Sequence, residues 1–126
     1  MAVLDALSDL TFIGEATAYK LTPKEEKVTY DDGSGVEVKF YDGDEYIGKC
    51  ATCEFEGVPN AFLHGFEVKA KYRGKGYGTQ ILKYMLRKYN CRVLYVVETN
   101  RAVNLYKRFG FKQTGKFSNK VIIMRR

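Results

Sequence analysis

Three glycines and two cations crowd one stretch of the chain, Tyr72-Arg73-Gly74-Lys75-Gly76-Tyr77-Gly78. That combination suits the holding of phosphate. Glycine lets a backbone approach a ligand closely, and the first amides of a helix have no partner inside the helix. The stretch lies between an apolar, strand-like run (Ala61 to Val68) and a helical pattern (Thr79 to Tyr89) whose Ile81, Leu82, Met85, Leu86 and Tyr89 form one stripe. An anion at such a helix start gains ~0.3–1 kcal/mol from the helix dipole. A nucleotide-like ligand carrying a pyrophosphate is the first expectation.

Two familiar phosphate loops are excluded by spacing. A P-loop needs a hydroxyl residue directly after its lysine, to meet magnesium, and Lys75 is followed by Gly76. A dinucleotide fingerprint needs G-x-G-x-x-G near the start of a βαβ unit. Here the glycines run G-x-G-x-G deep in the chain, and Glu98, the acid at roughly the right distance, stands alone at the end of the next strand-like run.

The elements around the loop can be read from pattern. Thr11 to Leu21 reads as mostly extended and Pro23 as a break, with a short strand at Lys27 to Tyr30 and a turn at Asp31-Asp32-Gly33-Ser34-Gly35. Val36 to Tyr41 and Tyr46 to Phe55 read as a hairpin around Asp42-Gly43-Asp44-Glu45. Glu56-Gly57-Val58-Pro59-Asn60 is a further turn. Arg92 to Glu98 contains Val93-Leu94-Tyr95-Val96-Val97, the pattern of a strand buried on both faces and parallel to its neighbour. A helix follows from Arg101 to Phe109, stopped by Gly110, and Phe111 to Thr114 and Val121 to Met124 are the last strands. Strand, glycine loop, helix and strand make a right-handed βαβ crossover. The fold class is α/β with a mixed sheet, in one domain spanning 1–126.

The pattern R-x-x-G-x-G from Arg73 through Gly76 to Gly78 resembles the acetyl-CoA pyrophosphate loop of the GNAT N-acetyltransferase superfamily. Ala102-Val103-Asn104-Leu105-Tyr106-Lys107-Arg108-Phe109-Gly110-Phe111 resembles that family's A-x-x-L-Y-x-x-x-G-F segment, in the right order and with a strand between. The resemblance is strongest over residues 61–126. It implies a mixed, mostly antiparallel sheet with a central parallel pair. It also implies that the chain is an enzyme, moving an acetyl group from acetyl-CoA to a primary amine by direct attack, with no metal and no nucleophilic cysteine.

By the same resemblance, Arg73, Gly74, Lys75, Gly76, Tyr77, Gly78 and Thr79 cradle the pyrophosphate. Phe66 and Val68 lie on the strand that meets the cofactor, and the Val68 amide polarises the thioester carbonyl. Tyr106 is the general acid on the departing CoA thiolate. His64 is the candidate base. By strict alternation it shares a strand face with Val68 whereas Glu67 faces the other way, and in the branch that includes serotonin N-acetyltransferase a histidine at the matching place removes a proton. Glu54, Glu56, Glu67 and Glu98 stand as alternatives. Asn100 is carried over for the pantetheine arm, although Thr99 occupies the family's usual spacing and either residue could cap the helix. One departure concerns the helix pair that the family carries between its first two strands. Leu21 to Val36 is too short for it, and Lys24-Glu25-Glu26-Lys27 offers at most one turn. The acceptor side is therefore expected to be open or completed by a partner, and the acceptor to be a protein or peptide amine or a small amine.

Composition bounds the rest. The 126 residues are 45% apolar and 29% charged, as in a globular protein, and no apolar run approaches the ~18–20 residues that span a bilayer. The first ten residues carry Asp5 and Asp9 and no basic start, so a cytoplasmic protein without a membrane partner is expected. Leu4, Leu7 and Leu10 are spaced like one face of a short helix or arm. Cys50 and Cys53 form a C-x-x-C, but Cys91 and His64 supply no second metal-ligand pair at a recognisable spacing, so reduced thiols are expected. The net charge of +6 gathers Lys69, Lys71, Arg73 and Lys75 around the loop, which suits an anionic cofactor. No nucleic-acid reader motif appears. A small basic nucleic-acid binder and a catalytically idle CoA- or protein-binding domain are the alternative readings, and a homodimer is left open.

Overall fold

The computed structural model describes residues 21–31 and 33–126. The leucine-spaced segment at Leu4 to Leu10 and the extended reading of 11–20 lie outside the described residues. Seven strands and two α-helices follow: β1 (Thr22–Tyr30), β2 (Gly33–Asp42), β3 (Glu45–Phe55), β4 (Val58–Val68), α1 (Tyr77–Lys88), β5 (Val93–Val97), α2 (Ala102–Arg108), β6 (Lys112–Lys116) and β7 (Val121–Arg125). A single 3₁₀ turn, Ala70–Tyr72, leads into the glycine loop.

The strands form one sheet in the order β1-β2-β3-β4-β5-β7-β6. Every neighbouring pair is antiparallel except β4 and β5. This is the mixed α/β sheet with a central parallel pair, and α1 is the crossover between the two parallel strands.

The apolar stripe on α1 explains where the core lies. Ile81, Leu82 and Met85 are fully buried against Val38, Phe40, Cys50 and Leu63 from the sheet, and against Leu94, Tyr106, Phe111 and Met124 from the C-terminal half. Each such apolar side chain contributes ~1.5–3 kcal/mol on leaving water.

The N-terminal part of the sheet differs from the sequence expectation. Pro23 does not break the chain. It is the second residue of β1, opposite Phe40, where β1 is the outermost strand among the described residues and needs no donor on its outer side. Lys24-Glu25-Glu26-Lys27 is extended strand rather than a turn of helix. Pairing with β2 overrides the weak helical signal of four charged residues, and Glu25 is held from the sheet by Lys88 Nζ at 2.5 Å and by the Tyr84 hydroxyl, both on α1.

A second difference changes the site. Along β3 and β4, Lys49 pairs with Glu67 and Ala51 with His64, so Gly65 and Phe66 together face Cys50. Two residues opposite one is a β-bulge, and Gly65 has the positive φ of +63° that this bulge requires. Alternation is therefore reset in the middle of β4. Leu63, Phe66 and Val68 all pack on the helix side of the sheet, whereas Phe62 and His64 lie on the other. The expected common face of His64 and Val68 is corrected by this one extra residue.

Candidate functional site

Parallel strands β4 and β5 pair at one register position only, Phe62 with Val93. Beyond it they part, and a cleft of about 790 Å³ opens between them. The glycine loop, the end of β4 and the start of α2 line it.

At the floor, Lys69 N–H donates to Ile47 O of β3 at 2.9 Å. Hydrogen-bonded and non-bonded pairs alternate along an antiparallel ladder, so the preceding residue, Val68, turns its N–H and C=O away from β3 and toward the gap. Arg73 Nε donates to that carbonyl at 3.0 Å, which ties the loop to the strand end. The Val68 N–H is left aimed into the cleft.

The loop has the features a phosphate requires. Gly74 and Gly76 take φ values of +77° and +90°, and Gly76 is the N-cap of α1 with no side-chain cap bond. The first backbone bond of the helix runs from Gln80 N–H to Gly76 O, leaving the amides of Gly78 and Thr79 without intrahelical acceptors. Gly78 serves differently: a Cβ there would stand 3.3 Å from Phe66 Cζ and 3.7 Å from Leu105 Cδ2, so its absence lets α1 close against β4 and α2. The first turn of α1 holds no acidic residue.

Tyr106 lines the opposite wall, on α2. It is 7% exposed, and its ring lies 6.1 Å from the rings of Phe66 and of Phe111. Burial, with a smaller contribution from the nearby Cys50, holds its phenol well above the ordinary tyrosine range, so the hydroxyl keeps its proton. Asn100 also lines the cleft, and its Oδ1 accepts from Ala102 N–H at 2.8 Å, so it caps α2.

The cleft thus brings together Phe66, Val68, Arg73, Gly74, Gly76, Gly78, Thr79, Asn100 and Tyr106. Lys75 and His64 are not among its lining residues. Nor is Tyr77, whose side chain turns away to donate to Asp42 Oδ2 at 2.9 Å. His64 is half-buried on the helix-distant face, 3.3 Å from the Tyr30 hydroxyl. Burial lowers its pKa below the ordinary histidine value. Glu67, by contrast, lines the cleft, as do Leu105, already part of the L-Y segment, and Arg101 and Arg108, to which sequence pattern gave no place at the site. Their i, i+4, i+7 spacing on α2 was the available signal.

The cysteines stay apart from this chemistry. None forms a disulfide. Desolvation pushes the Cys50 thiol far up and that of Cys91 up to about 12. Among the described residues no group of His, Cys, Asp or Glu is arranged to hold a metal, and no helix is long and apolar enough to cross a membrane.

Comparison with known proteins agrees with this architecture. The family model described as "Acetyltransferase (GNAT) family" matches residues 3–111. The solved structure of PH1933 from Pyrococcus horikoshii OT3 is 35% identical, with a TM-score of 0.59 over 71% of this chain and 64% of that one. A GNAT-family acetyltransferase from Streptococcus pneumoniae is 18% identical, with a TM-score of 0.59 over 73% of this chain and 66% of that one. The putative acetyltransferase yncA from Salmonella typhimurium, solved with acetyl-CoA, is 19% identical, with a TM-score of 0.56 over 73% and 64%. The chain spans just under two thirds of the length of each of these relatives. Comparison with curated protein sequences gives no significant match. With the family model covering most of its length, and with a strand split, a glycine loop and a helix tyrosine meeting in one cleft, the chain belongs to the GNAT acetyltransferase family.

Proposed function

We propose that the protein is an N-acetyltransferase that moves an acetyl group from acetyl-CoA to a primary amine. The observation that supports this reading is the β4–β5 split, with the Val68 backbone, the first turn of α1 at Gly78 and Thr79, and Tyr106 around one cavity. Acetyl-CoA, as the donor substrate, supplies an activated thioester.

The amides of Gly76 to Thr79, the dipole of α1 and Arg73 hold the pyrophosphate, with Lys75 adding long-range attraction from outside the cleft. The Val68 N–H donates to the thioester carbonyl as negative charge develops there. A well-aimed donor of this kind contributes ~2–4 kcal/mol. The amine attacks the carbonyl carbon directly, and Tyr106 donates to the departing sulfur.

The amine must first lose a proton, because an alkylammonium titrates near ~10.4. His64 and Glu67 are the two candidates. His64 is neutral near pH 7, since burial has lowered its pKa. Glu67 has the better position, on the cleft wall. His64 lies on the face of the sheet away from Tyr106, whereas Glu67 shares the cleft with it. The acceptor is a small amine or a peptide amine.

Thiol release from acetyl-CoA, followed across a panel of amines and peptides with intact-mass detection, tests the reading. Acetylated product is expected. No CoA binding together with no turnover on any acceptor would overturn it in favour of a different ligand. Salt-sensitive DNA binding without stabilisation by acetyl-CoA would favour the nucleic-acid reading instead.

A further inference from the structure

We infer that Asp42 and Glu45, at the two ends of the β2–β3 turn, are positioning residues that hold the glycine loop in its ligand-ready shape and so set affinity for the pyrophosphate-bearing donor. This rests on the reading of the cleft proposed above.

Apart from the Arg73 Nε bond to Val68 O, the loop between Tyr72 and Tyr77 has little of its own to hold it. Arg73 to Gly76 belongs to no regular element, and a Cβ built on Gly74 would meet nothing within 4 Å. Two of its residues need positive φ. Order must therefore be imposed at its ends, and both ends are tied to the same turn. At the start, the Tyr72 hydroxyl donates to Glu45 Oε1, and Lys71 Nζ lies 3.7 Å from the same oxygen. At the end, the Tyr77 hydroxyl donates to Asp42 Oδ2 at 2.9 Å, with the Tyr77 side chain only 6% exposed. The two tyrosine rings meet edge to face at 5.7 Å and close the bracket.

Carboxylates beside a site for phosphate would ordinarily repel it. Here each carboxylate is engaged by a hydroxyl, and the Tyr72 hydroxyl, with Lys71, holds the Glu45 carboxyl below the ordinary glutamate range. Their effect on the donor runs through the backbone. Releasing the bracket lets the loop sample other shapes, and the lost freedom must then be given up on binding. Val68 and Tyr106 sit on other elements, so the chemical step is spared.

The test separates affinity from turnover. Asp42→Ala and Tyr77→Phe should each raise the Kd for CoA and the KM for acetyl-CoA roughly tenfold, with kcat within about twofold. The double variant should be no weaker than either single one, because both remove the same bond. Asp42→Asn keeps an acceptor oxygen and should restore most of the affinity. Glu45→Gln and Tyr72→Phe alter an exposed pair that the core does not need, and should weaken binding roughly two- to fivefold in a folded protein even if the Asp42 variants unfold. Folded variants at both ends of the bracket with unchanged Kd overturn the inference, as does a fall in kcat without a change in Kd. Failure of the unmodified protein to bind CoA overturns the parent reading as well.

Discussion

Burial gives Tyr106 a defined protonation state. Its phenol is pushed up by desolvation, so it is protonated at neutral pH, but full transfer to a thiolate titrating at ~8.5 is uphill. The side chain therefore acts by donating a hydrogen bond as the sulfur leaves, with water supplying the proton afterwards. Tyr106→Phe should lower kcat about 10–100-fold while the KM for acetyl-CoA moves less than about threefold, as steady-state thiol release would show. At the other end of the reaction, a histidine base must be neutral to work. Burial lowers the His64 pKa, so activity routed through it falls only as pH drops through a value below the ordinary 6.5. His64→Gln should abolish that acid limb of the kcat/KM profile. If it survives in His64→Gln and disappears in Glu67→Gln, the base is Glu67.

Two elements carry the site's geometry, the glycine loop with α1 and the bulged end of β4. Gly76 is held at a φ of +90°, where an added Cβ is strained by roughly 1 kcal/mol or more. Gly76→Ala should weaken acetyl-CoA binding about five- to tenfold with a small loss of thermal stability, measurable by calorimetry and CoA titration together. The same α1 is tied to β1 through Glu25, which the Lys88 ammonium and the Tyr84 hydroxyl hold below the ordinary glutamate range. A carboxyl with a depressed folded pKa contributes stability that is full above its unfolded value near 4.5 and is lost as pH falls through the folded one. Glu25→Gln should therefore lower the unfolding temperature at pH 7 and converge on the parent protein as the pH falls through the lowered folded value. The pair is substantially solvent-accessible, so the difference should be small.

Across the whole molecule, charge is spread unevenly in a way that favours an anionic donor. The net charge is +6, and Arg73, Arg101 and Arg108 all line the cleft. Exposed charges are screened over ~8 Å at physiological ionic strength. The KM for acetyl-CoA should rise several-fold between 50 and 500 mM salt, on the order of magnitude that screening implies, while kcat holds nearly constant. A KM that ignores salt would mean that the loop amides alone account for recognition of the donor.

Much of this was legible in the order of the residues. The glycine spacing before an amphipathic helix, the both-faces-apolar run at Val93 to Val97 and the L-Y-x-x-x-G-F segment each depend on local chemistry, and local chemistry is written in adjacent positions. The hairpin, the crossover and the parallel pair follow from those elements with few alternatives. The second half of β1, Lys27 to Tyr30, is legible as a strand, but its first half is not, because pairing with β2, and not the propensity of Lys24 to Lys27, decides the conformation there. The face on which His64 lies could not be had from alternation, because a bulge is a property of two strands in register and appears only once Gly65 and Phe66 both oppose Cys50. The same holds for the bracket from Asp42 and Glu45 to Tyr77 and Tyr72, whose partners are 35 and 27 residues apart along the chain. Residue types and short spacings specify which groups can do chemistry. Which groups meet, and on which side of the sheet, is set by long-range register, because a single inserted residue inverts every side chain after it.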